Sequence, residues 1–207
     1  MNKENYDKVV AEALKVLREG GVILYPTDTV WGLGCDATNP SAVSKVYEIK
    51  RRSDSKSLVL LASDLDMVAR FVERIPDIAI DLVEVNDRPM TIIYPGAVAG
   101  KASPDAAGTG DRFHLAYNVI AGDGSVGIRI PLNDFCRDLV RKLGRPLVST
   151  SANISGNPAP KTFKDIEPEI KSGVDYVVVP SLGAGATGAA SQIIKLGLGG
   201  EVEIIRQ

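Results

Sequence analysis

Two segments far apart in the chain carry side chains suited to phosphate. Lys50-Arg51-Arg52-Ser53-Asp54-Ser55-Lys56 supplies fixed positive charge, and Ser149-Thr150-Ser151-Ala152-Asn153 supplies small hydroxyl and amide groups. Arg and Lys neutralise phosphate oxygens while Ser, Thr and Asn hydrogen-bond them without crowding, so the two together read as a site for a polyanionic small molecule such as a nucleotide. Each also has a plainer reading. Cations are favoured at helix C-termini, a reading that suits Arg51 best, and Ser, Thr and Asn are ordinary turn residues. Arg129 adds a third feature: it is charged inside the apolar run Val126-Gly127-Ile128-Arg129-Ile130-Pro131. A charge there is costly without a partner, so Arg129 either pairs with an internal carboxylate or receives an acidic ligand. Arg206 poses the same question, although its place one residue from the end favours simple exposure. Thr27 and Thr29, just after Pro26, either offer hydroxyls to a small polar substrate or cap their own loop.

Several chemistries are disfavoured. One histidine, His114, lies in a Gly- and Asp-rich stretch that reads as a long surface loop over 108–124, and no Gly-x-Ser-x-Gly elbow exists, so a Ser-His-Asp hydrolase is not expected. Cys35 and Cys136 belong to no Cys-x-x-Cys pair and read as buried apolar residues, which leaves a zinc site or disulfide framework without support. No apolar run reaches the roughly 18 residues needed to span a bilayer, and the first residues lack the apolar core of a signal peptide, which points to the cytoplasm. A net charge of −2 argues against a non-specific nucleic-acid binder, although a local basic groove stays open.

The elements that must position these residues follow from periodicity. Val10, Ala13, Leu14 and Leu17 recur at helical spacing before Gly20-Gly21, and the apolar run 22–25 reads as a strand covered on both faces. A helix from Ser41 through Lys50, a strand over 58–61, a helical repeat at Leu65, Val68, Ala69 and Val72, and a short helix over 75–83 come next. Further strands are expected at Met90–Tyr94, 126–130, 146–149, 176–179, Gln192–Leu196 and Val202–Arg206, with a helix over 135–143. Such alternation implies one α/β domain over 1–207 with a mixed, partly parallel sheet. Gly32-x-Gly34-x-x-Ala37 formally matches a dinucleotide fingerprint, but six residues separate it from the preceding strand, so 26–37 reads instead as a polar loop at a strand's carboxyl end.

As a set, these residues resemble the YrdC-like family of threonylcarbamoyl-AMP synthases. The likeness runs from about Gly21 to Arg206. It is carried by Tyr25-Pro26-Thr27-Asp28-Thr29 with Gly32-Leu33, Lys50-x-Arg52 with Lys56, Val126 to Pro131, Ser149 to Asn153 with Ser155-Gly156, and Ser191. The resemblance implies a twisted mixed α/β sheet flanked by helices, with a concave basic face. It implies a nucleotidyltransferase that joins L-threonine, bicarbonate and ATP into threonylcarbamoyl-AMP and pyrophosphate, with Mg2+ accompanying ATP, for threonylcarbamoyladenosine modification of tRNA. By the same resemblance Lys50 and Arg52 are catalytic. ATP would be held by Lys50, Arg52, Lys56, Ser125, Ser149, Ser151, Asn153 and Arg206, threonine by Thr29, Arg129 and Ser191, and no residue is assigned to a metal. Proteins that transfer threonylcarbamoyl would take the product; direct tRNA contact is left open and no membrane is involved.

The sequence also departs from the family pattern. Trp31 stands where Tyr is usual, Ser57 where Pro is common after Lys56, and Leu61 where some longer members carry a His near threonine. Arg88-Pro89-Met90-Thr91 matches Pro-Gly-Pro-x-Thr only loosely, the 108–124 loop is atypical, and the further domain of longer relatives is not expected after Arg206. Two alternatives remain: a YciO-like paralogue lacking this activity, disfavoured by the presence of Lys50, Ser151 and Asn153, and an RNA-binding module, disfavoured by acidic balance and 5% aromatic content.

Overall fold

The computed structural model describes residues 1–52, 58–99, 114–183 and 185–207. In the first helix, α1 (Lys3–Arg18), the Asn2 side chain accepts from the Asn5 amide, and the face carrying Val10, Ala13, Leu14 and Leu17 is buried. Strand β1 (Ile23–Tyr25) follows, then β2 (Gly32–Gly34) and α2 (Pro40–Lys50), whose start is fixed by Asn39 as cap and Pro40 in the first turn. After β3 (Val59–Leu61) come α3 (Leu65–Ala69), α4 (Asp77–Val85) and β4 (Met90–Tyr94). The chain continues through β5 (Val126–Arg129), α5 (Asp134–Leu143) and β6 (Leu147–Ser151). It ends with α6 (Pro168–Gly173), β7 (Tyr176–Val177), β8 (Gln192–Leu196) and β9 (Val202–Arg206).

The strands form one mixed sheet in the order β7-β1-β2-β6-β3-β5-β4-β8-β9 among the described residues. β1–β7, β3–β5 and β4–β8 run parallel, and the other neighbours antiparallel. Register decides which side chains share a face, because residues directly opposite one another project to the same side. Gly32 stands opposite Ser151, Ser149 opposite Val59, and Val59 opposite Gly127. Gly127 faces Ile93, Thr91 faces Ile193, and Ile193 faces Arg206. A single row therefore crosses the sheet from β2 to β9, with Arg129 two residues beyond Gly127 on the same side. The other side carries Leu60, Ile92, Ile128 and Val148, all at most 2% exposed.

Three sequence expectations change here. Residues 32–34 form a strand, where a polar loop was expected over 26–37. Glycine has little strand preference of its own, but β1 and β6 pair with this segment from both sides, and pairing prevails. β6 was expected to end at residue 149, but its pairing with β2 carries it on through Thr150 and Ser151. The helical repeat at 65–72 yields only the short α3, since the chain leaves the helix at Arg70 and Val72 pairs with Ala97.

The glycines of β2 answer a packing demand. The buried Tyr25 ring lies across them: a Cβ at Gly34 would come within 2.6 Å of its Cε1 and 2.7 Å of the Val148 carbonyl, and one at Gly32 within 3.4 Å of the same ring carbon. Since neither a backbone carbonyl nor a fully buried ring can retreat easily, Gly34→Ala is expected to cost about 1–3 kcal/mol by overpacking. Gly122→Ala, where an added Cβ meets nothing within 4 Å, is expected to shift stability by less than about 0.5 kcal/mol. Denaturant midpoints of the two variants check the contrast.

Candidate functional site

The shared face opens into a cavity of about 270 Å³. Its wall is built from the loop entering β2, residues of β3, β5 and β6, and the two last strands. At one corner Arg129 donates through Nη1 to Asp28 Oδ1 and through Nη2 to Thr29 Oγ1 at 3.4 Å, with both ion-pair partners almost fully buried. The Asp28 carboxylate also accepts from the Leu132 amide at 2.9 Å. Of the two outcomes open for Arg129, an internal carboxylate partner is present, and the guanidinium nevertheless lines the cavity. Ser191 lies on the same wall, its hydroxyl 2.8 Å from that of Thr91, and its carbonyl accepts twice from Arg206, at 2.9 and 2.7 Å. Arg206 is thus anchored into the wall although β9 forms the sheet edge, and burial lowers its pKa.

The opposite corner depends on how α2 stops. Arg51 takes a left-handed conformation, φ 50°, which a side chain adopts at some cost. With the Arg52 amide reaching back to the Tyr47 carbonyl at 3.0 Å, this makes a Schellman-type turn. The turn sends Lys50 inward and Arg52 to the cavity wall. Lys50 Nζ donates to the Ser151 carbonyl and, at 2.8 Å, to the Asn153 carbonyl, and the Lys50 carbonyl accepts from the Ser155 amide at 2.8 Å. Burial, with Arg52 nearby as the second cause, pushes Lys50 down to about 8.

The structure brings Thr29, Arg52, Arg129, Ser149, Ser151, Ser191 and Arg206 onto one wall. Lys50 and Asn153 lie behind it, tied to each other, with Asn153 Nδ2 donating to the carbonyls of Ile154 and Asn157. Ser125, expected at the nucleotide, precedes β5 off this wall and gives its hydroxyl to Asp123 at 2.6 Å. Lys56 lies outside the described residues, as do 108–113 of the atypical loop. Two features at the cavity went unassigned in the sequence. The need of Arg129 for a carboxylate was legible, but three strands, β2, β3 and β4, lie between Asp28 and β5 in the chain, and nothing local singled out that acid. Trp31 lines the cavity with its ring 5.0 Å from that of Phe163.

No thiol or imidazole faces the cavity. Cys35 and Cys136 are both free and buried, as their apolar reading required, and burial pushes both thiols well above their ordinary range. Among the described residues no group of three His, Cys, Asp or Glu side chains could hold a metal, and no helix is long and apolar enough to cross a membrane.

Comparison with known proteins gives a consistent picture. The family model Sua5/YciO/YrdC, described as "Telomere recombination", matches residues 15–207. A threonylcarbamoyl-AMP synthase from Pseudomonas fluorescens is 35% identical over 84% of this chain and 86% of its own length. One from Hahella chejuensis is 32% identical over 81% and 83%. Among solved structures, P. abyssi Sua5 complexed with L-threonine aligns with a TM-score of 0.77 at 24% identity, a likeness of fold. It covers 92% of this chain and 51% of that one, so this chain spans about half the length of that protein.

The buried lysine makes stability pH-dependent in a known direction. Between about 8 and its ordinary 10.5, the unfolded chain keeps a proton that the folded chain has released, so the contribution of Lys50 grows with pH across that window and is lost as pH falls through about 8. Denaturant unfolding of the natural chain and of Lys50→Met should therefore show a gap that is flat below about pH 7 and widens in favour of the natural chain toward about pH 10. Parallel curves would show that Lys50 titrates as an ordinary lysine.

Proposed function

The chain belongs to the Sua5/YciO/YrdC family, and on that premise we propose that it is a threonylcarbamoyl-AMP synthase, a nucleotidyltransferase using ATP, L-threonine and bicarbonate. The observation that carries this reading is the cavity that gathers Arg52, Arg129 and Arg206 on its wall, with no thiol or imidazole there among the described residues. Arg129, with Thr29 and Ser191 beside it, suits the carboxylate and polar groups of an amino acid. Arg52 and Arg206, with the hydroxyls of Ser149 and Ser151, suit a nucleotide's phosphates.

The chemistry needs little else from the protein. The free amine of threonine attacks the carbon of bicarbonate, water leaves, and a carbamate anion remains. A carbamate oxygen then attacks the α-phosphorus of ATP, and the bond to the β-phosphate bridging oxygen breaks with its electron pair going to pyrophosphate. Both partners of the second step are anions, so the main tasks are to hold them together and offset charge on the departing phosphates. Arg52 and Arg206 are placed for that work. In this reading Lys50 and Asn153 act from behind the wall on the segment bearing Ser151, and Ser125 would reach a nucleotide only by releasing Asp123.

Magnesium enters only as a companion of ATP. Among the described residues the cavity wall offers hydroxyls and guanidinium groups but no carboxylate, so these residues do not form a protein site for it. The same reading places the chain in the cytoplasm and makes tRNA, through threonylcarbamoyl-transfer proteins, the destination of the adenylate.

Incubation of the purified chain with ATP, magnesium, bicarbonate and individual amino acids, followed by mass spectrometry, should give threonylcarbamoyl-AMP and pyrophosphate with threonine alone, and nothing when bicarbonate is left out. Absence of the adduct under complete conditions would overturn the reading. A charge-assisted hydrogen bond is worth about 1.5–3 kcal/mol, so Arg52→Ala is expected to weaken ATP binding by about 10- to 150-fold; unchanged affinity would remove Arg52 from the nucleotide site.

A further inference from the structure

We propose that Asp28 is a positioning residue for the amino-acid substrate: its carboxylate fixes the guanidinium of Arg129 so that one edge faces the cavity. This inference rests on the threonine-binding role given to Arg129 above and adds to it what holds that group in place. The ion pair joins two side chains that are only 4% and 7% exposed. One Asp28 oxygen takes Arg129 Nη1, and the other is fixed by the Leu132 amide just after β5, so the turn leaving the strand orients the carboxylate that orients the strand's own arginine.

Little else could do this. Behind Asp28 lies a second cavity, about 410 Å³, bordered by Asp28 itself with Leu132, Asn133 and Phe135 among others. Asp28 is therefore part of the partition between the two hollows, and packing from the rear is a poor substitute for its charge. The remaining contact of Arg129 with the 27–30 segment is weak in geometry, 3.4 Å to Thr29 Oγ1. The hydroxyl protons nearby are also committed. Thr27 Oγ1 donates to the Val30 carbonyl at 2.7 Å, so in its 2.8 Å contact with Thr29 the proton comes from Thr29. Thr29 thus gives its proton to Thr27 and accepts from Arg129, which leaves it a lone pair and no donor for a ligand. An incoming carboxylate at this corner must be met by the guanidinium, and an ammonium or hydroxyl by Thr29.

The backbone of the same residues carries the far wall. The Asp28 carbonyl accepts from the Thr187 amide at 2.9 Å and the Thr29 carbonyl from the Gly188 amide at 2.8 Å, on the approach to Ser191. A change confined to the Asp28 side chain leaves those bonds available, and Asp28→Asn also keeps an oxygen for the Leu132 amide. Its effect should pass through Arg129 alone.

The test is threonine binding to the full-length chain, followed by calorimetry and by emission of Trp31, the one tryptophan in the sequence and part of the cavity wall. Asp28→Asn and Arg129→Gln should each weaken L-threonine by about 10- to 150-fold, with ATP affinity held within about threefold. Because one residue acts through the other, Asp28→Asn/Arg129→Gln should bind threonine within about twofold of Arg129→Gln alone. If Asp28→Asn binds threonine like the natural chain, or if adding it to Arg129→Gln costs more than about threefold further, the positioning role is wrong while the functional reading stands. Should the single variant fail to fold, the second comparison still decides, since the double variant buries no unpaired charge. A natural chain that binds ATP but no threonine would instead overturn the functional reading, and this inference with it.

Discussion

A cation inside a sheet protein has to be met by oxygens that cannot move away. Two buried cations in this chain meet that demand differently. Arg129 is answered by a full negative charge, which makes its corner nearly neutral in sum and directional in detail. Lys50 is answered by backbone carbonyls, which carry only partial charge, and its depressed proton affinity is the physical record of that incomplete compensation. Leaving either cation unanswered would cost several kcal/mol, of the order seen when a buried pair loses one member. The loop 27–32 and the segment 151–155 are therefore held in place partly by cations at the core of the fold, and both segments border the cavity.

The sheet supplies the other half of the geometry. Ladder register aligns Gly32, Ser149, Ser151, Val59, Gly127 and Arg129 on one face, and the small size of several of them leaves that face hollow. Glycines at 32 and 34 leave room for the buried Tyr25 ring, whose hydroxyl donates to the Val148 carbonyl at 3.4 Å. Large β-branched residues there would be better strand formers and would fill the space. Strand propensity has been given up locally, and the pairing of β2 with two neighbours makes that tolerable.

Much of this was legible in the sequence. The run 22–25, the helix ending at Lys50 and the alternation after Met90 identify their elements because burial imposes a period on them. Arg129 announced an unusual site because a charge stood among apolar strand residues. What stayed hidden depended on contacts between distant segments. Residues 32–34 become a strand only because β1 and β6 flank them, and no local preference encodes that. Asp28 lies 101 residues from Arg129 in the chain, so its pairing waits on the placement of β1 and β5. Likewise the charge of Lys50 is visible in the sequence, while the carbonyls that hold its ammonium are not.

The position of Lys50 behind the wall does not make it idle. Its ammonium draws the Ser151 and Asn153 carbonyls toward the end of α2, while its own carbonyl takes the Ser155 amide, so helix end and strand end are clasped in both directions. From the other side Glu167 accepts from the Ile154 amide at 2.7 Å and from the Asn157 side chain. Arg52 follows Lys50 through the left-handed turn at Arg51, and Ser151 carries one of the clasped carbonyls. The backbones that carry Arg52 and Ser151 are therefore tied to one another, so part of the ordering that a ligand touching both would require has already been met by folding. In a cavity lined by guanidinium and hydroxyl groups, with no thiol or imidazole among the described residues, holding donors in set positions is the main contribution this architecture can make.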